Sequence, residues 1–164
     1  MSWKMTEPRG RFTAFLNSFL YALRGFRYCI VHERNMRVHL SAAVLVTAFS
    51  VSYGLTAAEY GLLFFAVGLV LCAEALNTAI EKAVDLITRE QRRLAGIAKD
   101  CAAGGVLLAA LTAAAVGLAL FLHVPKLTDT LLRILSSPAL TLLYLALLIL
   151  GTLFSFWGDK LFRQ

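Results

Sequence analysis

The chain has 164 residues, of which 59% are apolar and 16% are charged, and its mean hydropathy is +0.73. These values exclude a disordered chain and an ordinary soluble domain, and they indicate an all-α integral membrane protein with several spans. The formal charge of +6 would suit nucleic acid, but the basic segments contain no groove-reading motif, so we expect no nucleic-acid partner.

The basic residues are distributed as topology signals. Of the sixteen Lys and Arg, seven lie in residues 1–39 and five between Lys82 and Lys99. Two lie in the loop 123–137 and two after residue 158. The positive-inside rule therefore predicts that the N-terminus and the 82–99 loop are cytoplasmic. An even number of spans would return the C-terminus to the same side.

A polar tail, residues 1–11, precedes a segment that is typical of an interfacial helix. Over residues 12–31 the apolar side chains recur every three or four positions, which is one face of a helix. Arg24 and Arg27 interrupt the segment, so it cannot span a membrane. We expect it to lie in the cytoplasmic interface, with its aromatic side chains in the lipid and its arginines near phosphates.

The remaining apolar segments predict four spans, at about 38–56, 59–87, 98–123 and 138–157. The first follows a polar sequence that places Glu33, Arg37 and His39 at the cytoplasmic mouth. Residues 12–124 are expected to form one domain. An extracytoplasmic loop, 125–137, with a short amphipathic turn, separates it from the fourth span, and 158–164 form a cytoplasmic tail.

The second span carries polar residues on one face. Glu74, Asn77, Glu81 and Asp85 are spaced at three and four, so they form a stripe along the helix. Counting from Tyr60, Glu74 lies roughly 21 Å deep and Glu81 about 10 Å further. Acids inside a membrane are expensive and mark functional sites by default. The alternative for Glu74 is a structural hydrogen bond or ion pair.

Other motifs narrow the chemistry. There is no GxxxxGK[ST] phosphate loop, no GxGxxG and no HExxH, and the three cysteines are single and read as small buried hydrophobes. The remaining candidates for functional residues are mostly carboxylates, together with one lysine. They are Glu33, the polar stripe of the second span, and Lys99-Asp100. Carboxylates with access to water suit Mg²⁺, and a lysine suits phosphate. Glu33 and Arg37 could instead form a simple i,i+4 pair.

Three segments together resemble the prokaryotic diacylglycerol kinase family. They are Glu-Arg-Asn-Met-Arg-Val-His at 33–39, Ala-Glu-Ala-Leu-Asn-Thr-Ala-Ile-Glu at 73–81 and Ala-Lys-Asp-Cys-Ala-Ala-Gly at 98–104. The undecaprenol kinase branch is the nearer likeness. The resemblance implies a lipid kinase of the bacterial plasma membrane. It also implies a homotrimer with shared active sites that transfers the γ-phosphate of ATP, with Mg²⁺, to a membrane lipid alcohol.

The same resemblance implies a role for each matching residue. Glu74 would be the general base and contact the lipid, Asn77 would position the reacting groups, and Arg37 would contact substrate. The implied magnesium ligands are Glu33 and Glu81. The implied nucleotide contacts are Tyr21, Glu33, Glu81, Glu90, Lys99 and Asp100. Asp85 would have a supporting role.

The chain departs from the family pattern in two places. Arg92 stands where some relatives have a nucleotide-contacting histidine, and the fourth span lies outside the three-span core. Undecaprenol is the expected acceptor, with diacylglycerol as the alternative. Two other classes stay open at this point. One is a small proton-coupled or ion-coupled carrier, although no inverted repeat supports it, and the other is a structural subunit without activity.

Overall fold

A computed structural model describes residues 10–88 and 92–162 of the chain. The described residues form six helices and no strand: α1 (Arg11–His32), α2 (Arg34–Tyr53), α3 (Ala57–Ile87), α4 (Arg93–Phe121), α5 (Val124–Ser136) and α6 (Pro138–Phe162). Within these ranges, four helices are long and apolar enough to cross a membrane: α2, α3, α4 and the 138–158 part of α6. The predicted all-α membrane fold is therefore confirmed.

Helix α1 presents large apolar side chains to its surroundings. Phe12 is 74% exposed, and Phe19 and Leu23 are also exposed. Its opposite side packs on α2, α3 and α6, and Cys29 is buried there. Such a helix suits the boundary between lipid and water, where exposed apolar rings can enter the acyl chains.

A single residue separates α1 from α2. Glu33 has extended backbone angles and is both the residue after α1 and the residue before α2. Its backbone N–H donates to the carbonyl oxygen of Cys29 at 2.9 Å. The chain therefore turns sharply at Glu33, which fixes this carboxylate at the junction of the two helices.

Helix α2 ends earlier than the span predicted to reach about residue 56. Gly54 has a φ of 75°, the left-handed conformation that terminates helices and that glycine adopts without strain. Thr56 and Glu59 then form a capping box that starts α3. A short turn thus joins α2 and α3 into an antiparallel hairpin.

The most extensive packing joins α3 and α4. The buried residues of α3 follow one another at intervals of three or four: Leu63, Ala66, Val70, Glu74 and Thr78. Helix α4 begins at Arg93, ahead of the position expected near residue 98, so it extends beyond the apolar segment toward the loop. Glu74 therefore belongs to the packed face of α3, within a series of apolar residues.

The segment after α4 forms a helix, where a short amphipathic turn was expected. Helix α5 covers the end of α2, because Lys126 Nζ donates to the Gly54 carbonyl at 2.9 Å and Arg133 donates to the Ser52 carbonyl. Helix α6 then runs back along α2. There the Tyr144 hydroxyl lies 2.7 Å from Ser52 Oγ.

Candidate active site

The carboxylate of Glu74 is the most deeply buried charged group of the site. Glu74 is 2% exposed, and its Oε1 has no hydrogen-bond partner among the described residues. The nearest cationic candidate is His39 on α2, whose Nε2 lies 3.4 Å from that oxygen. A buried carboxylate oxygen without a donor is costly in an apolar environment. Glu74 is therefore a chemically available acceptor.

The rest of the stripe continues from Glu74 along α3. Asn77 Nδ2 donates to Glu81 Oε1 at 3.1 Å, and Asn77 Oδ1 is buried without a partner among the described residues. Glu33 approaches from the α1–α2 junction and pairs with Lys82 at 3.7 Å. The negative charges of Glu33 and Glu81 both act on Glu74. The structure thus brings Glu33, Asn77 and Glu81 to the neighbourhood of Glu74.

Lys99 and Asp85 link the end of α3 to the start of α4. Lys99 Nζ donates to Asp85 Oδ1 at 2.6 Å, and both side chains are partly exposed. Asp100 is exposed beside Lys99. The lysine predicted to meet phosphate is therefore held at the open edge of the site by the aspartate that was predicted to have a supporting role.

Three further predicted residues lie apart from this cluster or outside the described ranges. Tyr21 is half-buried on α1, with the Arg24 guanidinium 5.7 Å from its ring centre. Arg37 is 3% exposed, and its guanidinium contacts backbone carbonyls. It does not form the alternative i,i+4 pair, because Glu33 pairs with Lys82. Glu90 lies outside the described residues.

An open crevice of about 1080 Å³ lies between α1 and the adjacent part of α3. Phe26 and Cys29 line it from α1, and Thr78, Lys82 and Asp85 line it from α3. One end is therefore charged and the rest is largely apolar. A space of this kind admits an amphiphile whose polar end meets the charged residues.

A second, narrower cavity of about 230 Å³ lies between α2, α3 and α4. Most of its lining is apolar and small, including Ala43, Ala66 and Gly117, and His39 is its polar residue. His39 is the site residue that sequence reasoning did not select. Its place in the motif was visible, but its distance to Glu74 depends on how α2 and α3 are rotated against each other.

The side-chain oxygens of the candidate site are ligands of the kind that Mg²⁺ prefers. No group of three or more His, Cys, Asp and Glu with metal-binding spacing occurs among the described residues. Mg²⁺ usually takes only one or two protein carboxylates and completes its shell with water and substrate phosphates. Glu33 and Glu81 are such carboxylates, and the buried Oδ1 of Asn77 is an additional oxygen without a partner among the described residues.

The sequence of this chain is similar to a known protein family and to several of its members. The family model for prokaryotic diacylglycerol kinase matches residues 20–121. Undecaprenol kinase of Bacillus subtilis is 41% identical over 123 residues, which cover 74% of this chain and 97% of that protein. Diacylglycerol kinase of Synechocystis sp. is 44% identical over 103 residues, covering 62% and 59%. Diacylglycerol kinase of Escherichia coli K12 is 33% identical over 102 residues, covering 62% and 84%. No solved structure matches significantly.

The chain belongs to the prokaryotic diacylglycerol kinase family. The predicted class of enzyme, an integral-membrane lipid kinase, is confirmed, and the carrier and the inactive subunit are disfavoured. A lipid substrate and ATP follow from the family. The matched segment ends at residue 121, so α5 and α6 lie outside it.

Proposed function

We propose that this kinase phosphorylates undecaprenol to undecaprenyl phosphate, with ATP as the donor. The observation that carries the mechanism is the buried Glu74 carboxylate, whose Oε1 has no hydrogen-bond partner among the described residues. The choice of acceptor rests on the undecaprenol kinase of Bacillus subtilis, which the matching segment of this chain covers almost completely.

In the proposed reaction Glu74 accepts the proton of the lipid hydroxyl. The hydroxyl oxygen forms a bond to the γ-phosphorus, and the bond from that phosphorus to the bridging oxygen breaks, which releases ADP. General base catalysis of this kind contributes typically 10²–10⁴-fold. Because phosphoryl transfer otherwise depends on positioning and charge neutralisation, the surrounding residues have mainly those tasks.

Glu33 and Glu81 are proposed to hold Mg²⁺, which when bound neutralises phosphate charge. Asn77 would keep Glu81 oriented through the 3.1 Å hydrogen bond. Lys99 would bind the nucleotide phosphates as a point charge, and Asp100 would lie beside them. Asp85 would orient Lys99 through the 2.6 Å contact.

The remaining proposed roles are more peripheral. Tyr21 and Glu90 would contact the nucleotide. Arg37, whose guanidinium donates to backbone carbonyls, would contribute to substrate binding through the residues that it positions. The proposed assembly is a homotrimer with shared active sites, as the resemblance to the family implies. The proposed location is a bacterial plasma membrane, with the N-terminus and the C-terminus both cytoplasmic.

Diacylglycerol is the second candidate acceptor, because the Synechocystis diacylglycerol kinase is 44% identical over 103 residues. The test is Mg²⁺-dependent transfer from labelled ATP to undecaprenol and to diacylglycerol, measured side by side in mixed micelles. We expect a higher kcat/KM for undecaprenol. A preference for diacylglycerol would overturn the proposed acceptor and leave the kinase chemistry unaffected.

A further inference from the structure

Arg37 lies where α1, α2 and α6 meet. One of its terminal nitrogens, Nη1, donates to the carbonyls of Ile30 and Val31, at 3.1 and 3.0 Å, at the end of α1. Its Nε donates to the Ser155 carbonyl of α6 at 3.4 Å. A cation at a helix C-terminus satisfies the final carbonyls and complements the helix dipole. One buried side chain of α2 therefore ties α1 to α6.

Helix α6 has a glycine, Gly158, at the position where it packs against Arg37. A Cβ atom added at Gly158 would lie 2.7 Å from Arg37 Cδ and 3.0 Å from Arg37 Nε. These distances are too short for a side chain of any kind unless the arginine moves. The hydrogen bonds at both Nε and Nη1 hold the arginine in place, so movement means releasing carbonyls. Gly158 is therefore a specific part of the arginine's binding pocket.

A second contact between α6 and α2, at Gly151, lies about two turns from Gly158 and does not involve the guanidinium. Ser41 Oγ lies 3.1 Å from the Gly151 carbonyl and 3.2 Å from Ser155 Oγ. A Cβ added at Gly151 would meet Ser41 Cβ at 3.2 Å. The same helix pair thus offers a position at which an added methyl group would meet Ser41 and not the Arg37 side chain.

We propose that α6 positions Glu33, one of the two proposed magnesium ligands, by holding Arg37 against the end of α1. The link is direct: Glu33 is the next residue but one after Val31, and its carbonyl accepts from the Arg37 backbone N–H at 3.4 Å. Arg37 is accordingly a positioning residue, acting through Glu33. The catalytic part of this inference rests on the proposed function. The mechanical part, docking of α1 by α6, does not.

The test compares Gly158→Ala with Gly151→Ala in the full chain. Both add one methyl group to α6 at the α2 interface, but only the first meets Arg37. We expect Gly158→Ala to raise the KM for MgATP by about tenfold, the loss expected for one charge-assisted hydrogen bond. The KM for undecaprenol should stay within about twofold. Gly151→Ala should leave both KM values unchanged.

The second readout is maleimide labelling of Cys29 on a background of Cys72→Ala and Cys101→Ala. Cys29 is 5% exposed and lies one residue before Ile30 on the docked face of α1. Gly158→Ala should accelerate its labelling by about tenfold and Gly151→Ala should not. Arg37→Lys, which keeps the charge but has no planar fork of donors, should reproduce both effects of Gly158→Ala and serves if that variant does not fold.

The outcomes separate the two proposals. Equal KM values for MgATP in the two glycine variants would overturn the positioning of Glu33. Unchanged Cys29 labelling in both Gly158→Ala and Arg37→Lys would overturn the docking of α1 by α6. A wild-type protein that transfers no phosphate to either lipid would refute the proposed function, while the labelling would still decide the docking.

Discussion

His39 Nε2 and Glu74 Oε1 lie 3.4 Å apart, at the meeting point of α2 and α3. Glu74 is almost fully buried, whereas about a quarter of the His39 side chain is exposed. The imidazole is thus a partly exposed polar neighbour of the buried carboxylate. In the proposed reaction, this makes His39 the natural partner of the base.

We predict that His39→Ala lowers kcat by about tenfold, because it removes the polar side chain that lies 3.4 Å from the buried carboxylate. His39→Gln, which retains a hydrogen-bonding group of similar reach, should lower kcat less. Initial rates with saturating ATP and undecaprenol provide the measurement. Identical rates for the alanine variant and the wild type would show that His39 takes no part in supporting Glu74.

Glu74→Gln should reduce kcat by about 10²–10⁴-fold, because the amide is nearly isosteric and cannot accept the hydroxyl proton. Glu59→Gln provides a matched control on the same helix, since Glu59 belongs to the capping box at the other end of α3. That control should retain kcat even if it unfolds more readily. Full Mg²⁺-dependent transfer by Glu74→Gln would contradict the assignment of the base.

Lys99 and Asp85 should respond unequally to substitution. Lys99→Met removes the proposed phosphate contact and should raise the KM for MgATP by at least about tenfold. Asp85→Asn weakens the partly exposed 2.6 Å ion pair with Lys99 but keeps the lysine, so its KM should change by less than about threefold. Steady-state kinetics at fixed undecaprenol distinguish the two, and equal effects would mean that Lys99 acts only through Asp85.

The thiol of Cys29 should react slowly with maleimide near neutral pH. Burial raises the pKa of this thiol, and the nearby charges of Glu33 and Glu74 raise it further, whereas a hydrogen bond with Thr78 lowers it. The thiolate is the reactive form, so the labelling rate should keep rising at pH values where an exposed thiol has reached its plateau. Thr78→Val should slow labelling further at each pH below that plateau.

Tyr144 should stabilise the docking of α6 on α2. Its hydroxyl donates to the Ala48 carbonyl at 3.0 Å and lies 2.7 Å from Ser52 Oγ. We predict that Tyr144→Phe lowers the stability in detergent by about 1 kcal/mol, the usual worth of such a hydrogen bond. Thermal unfolding measures this loss. The KM for MgATP should be unchanged, because Tyr144 lies far along α6 from Gly158.

Much of the fold could be predicted because membrane helices have strong local signals. The regular apolar spacing of α1 and the long apolar segments of the spans depend only on neighbouring residues. The end of α2 could not be placed as well. It depends on the left-handed conformation of Gly54, which competes with an apolar sequence that could have continued the helix.

The sequence indicates which residues belong to the candidate site, but it does not predict the contacts between them. The spacing of Glu74, Asn77 and Glu81 on one face follows from helix geometry alone. The pairing of Lys99 with Asp85, and of His39 with Glu74, joins different helices. Such distances depend on the rotation and depth of each helix, which are set by packing along the whole bundle. Arg37 illustrates the same point, since its partners belong to α1 and α6.

The length of α3 has a consequence for the release of the phosphorylated lipid. Helix α3 has 31 residues, so at about 1.5 Å per residue it is ~46 Å long and exceeds a hydrocarbon layer of about 30 Å. Its stripe therefore passes from lipid into water beside α1. In the proposed reaction the lipid alcohol is phosphorylated there without leaving its leaflet, and the new phosphate emerges among the head groups on that same face. Product release then requires only lateral diffusion, with no transfer of charge across the bilayer.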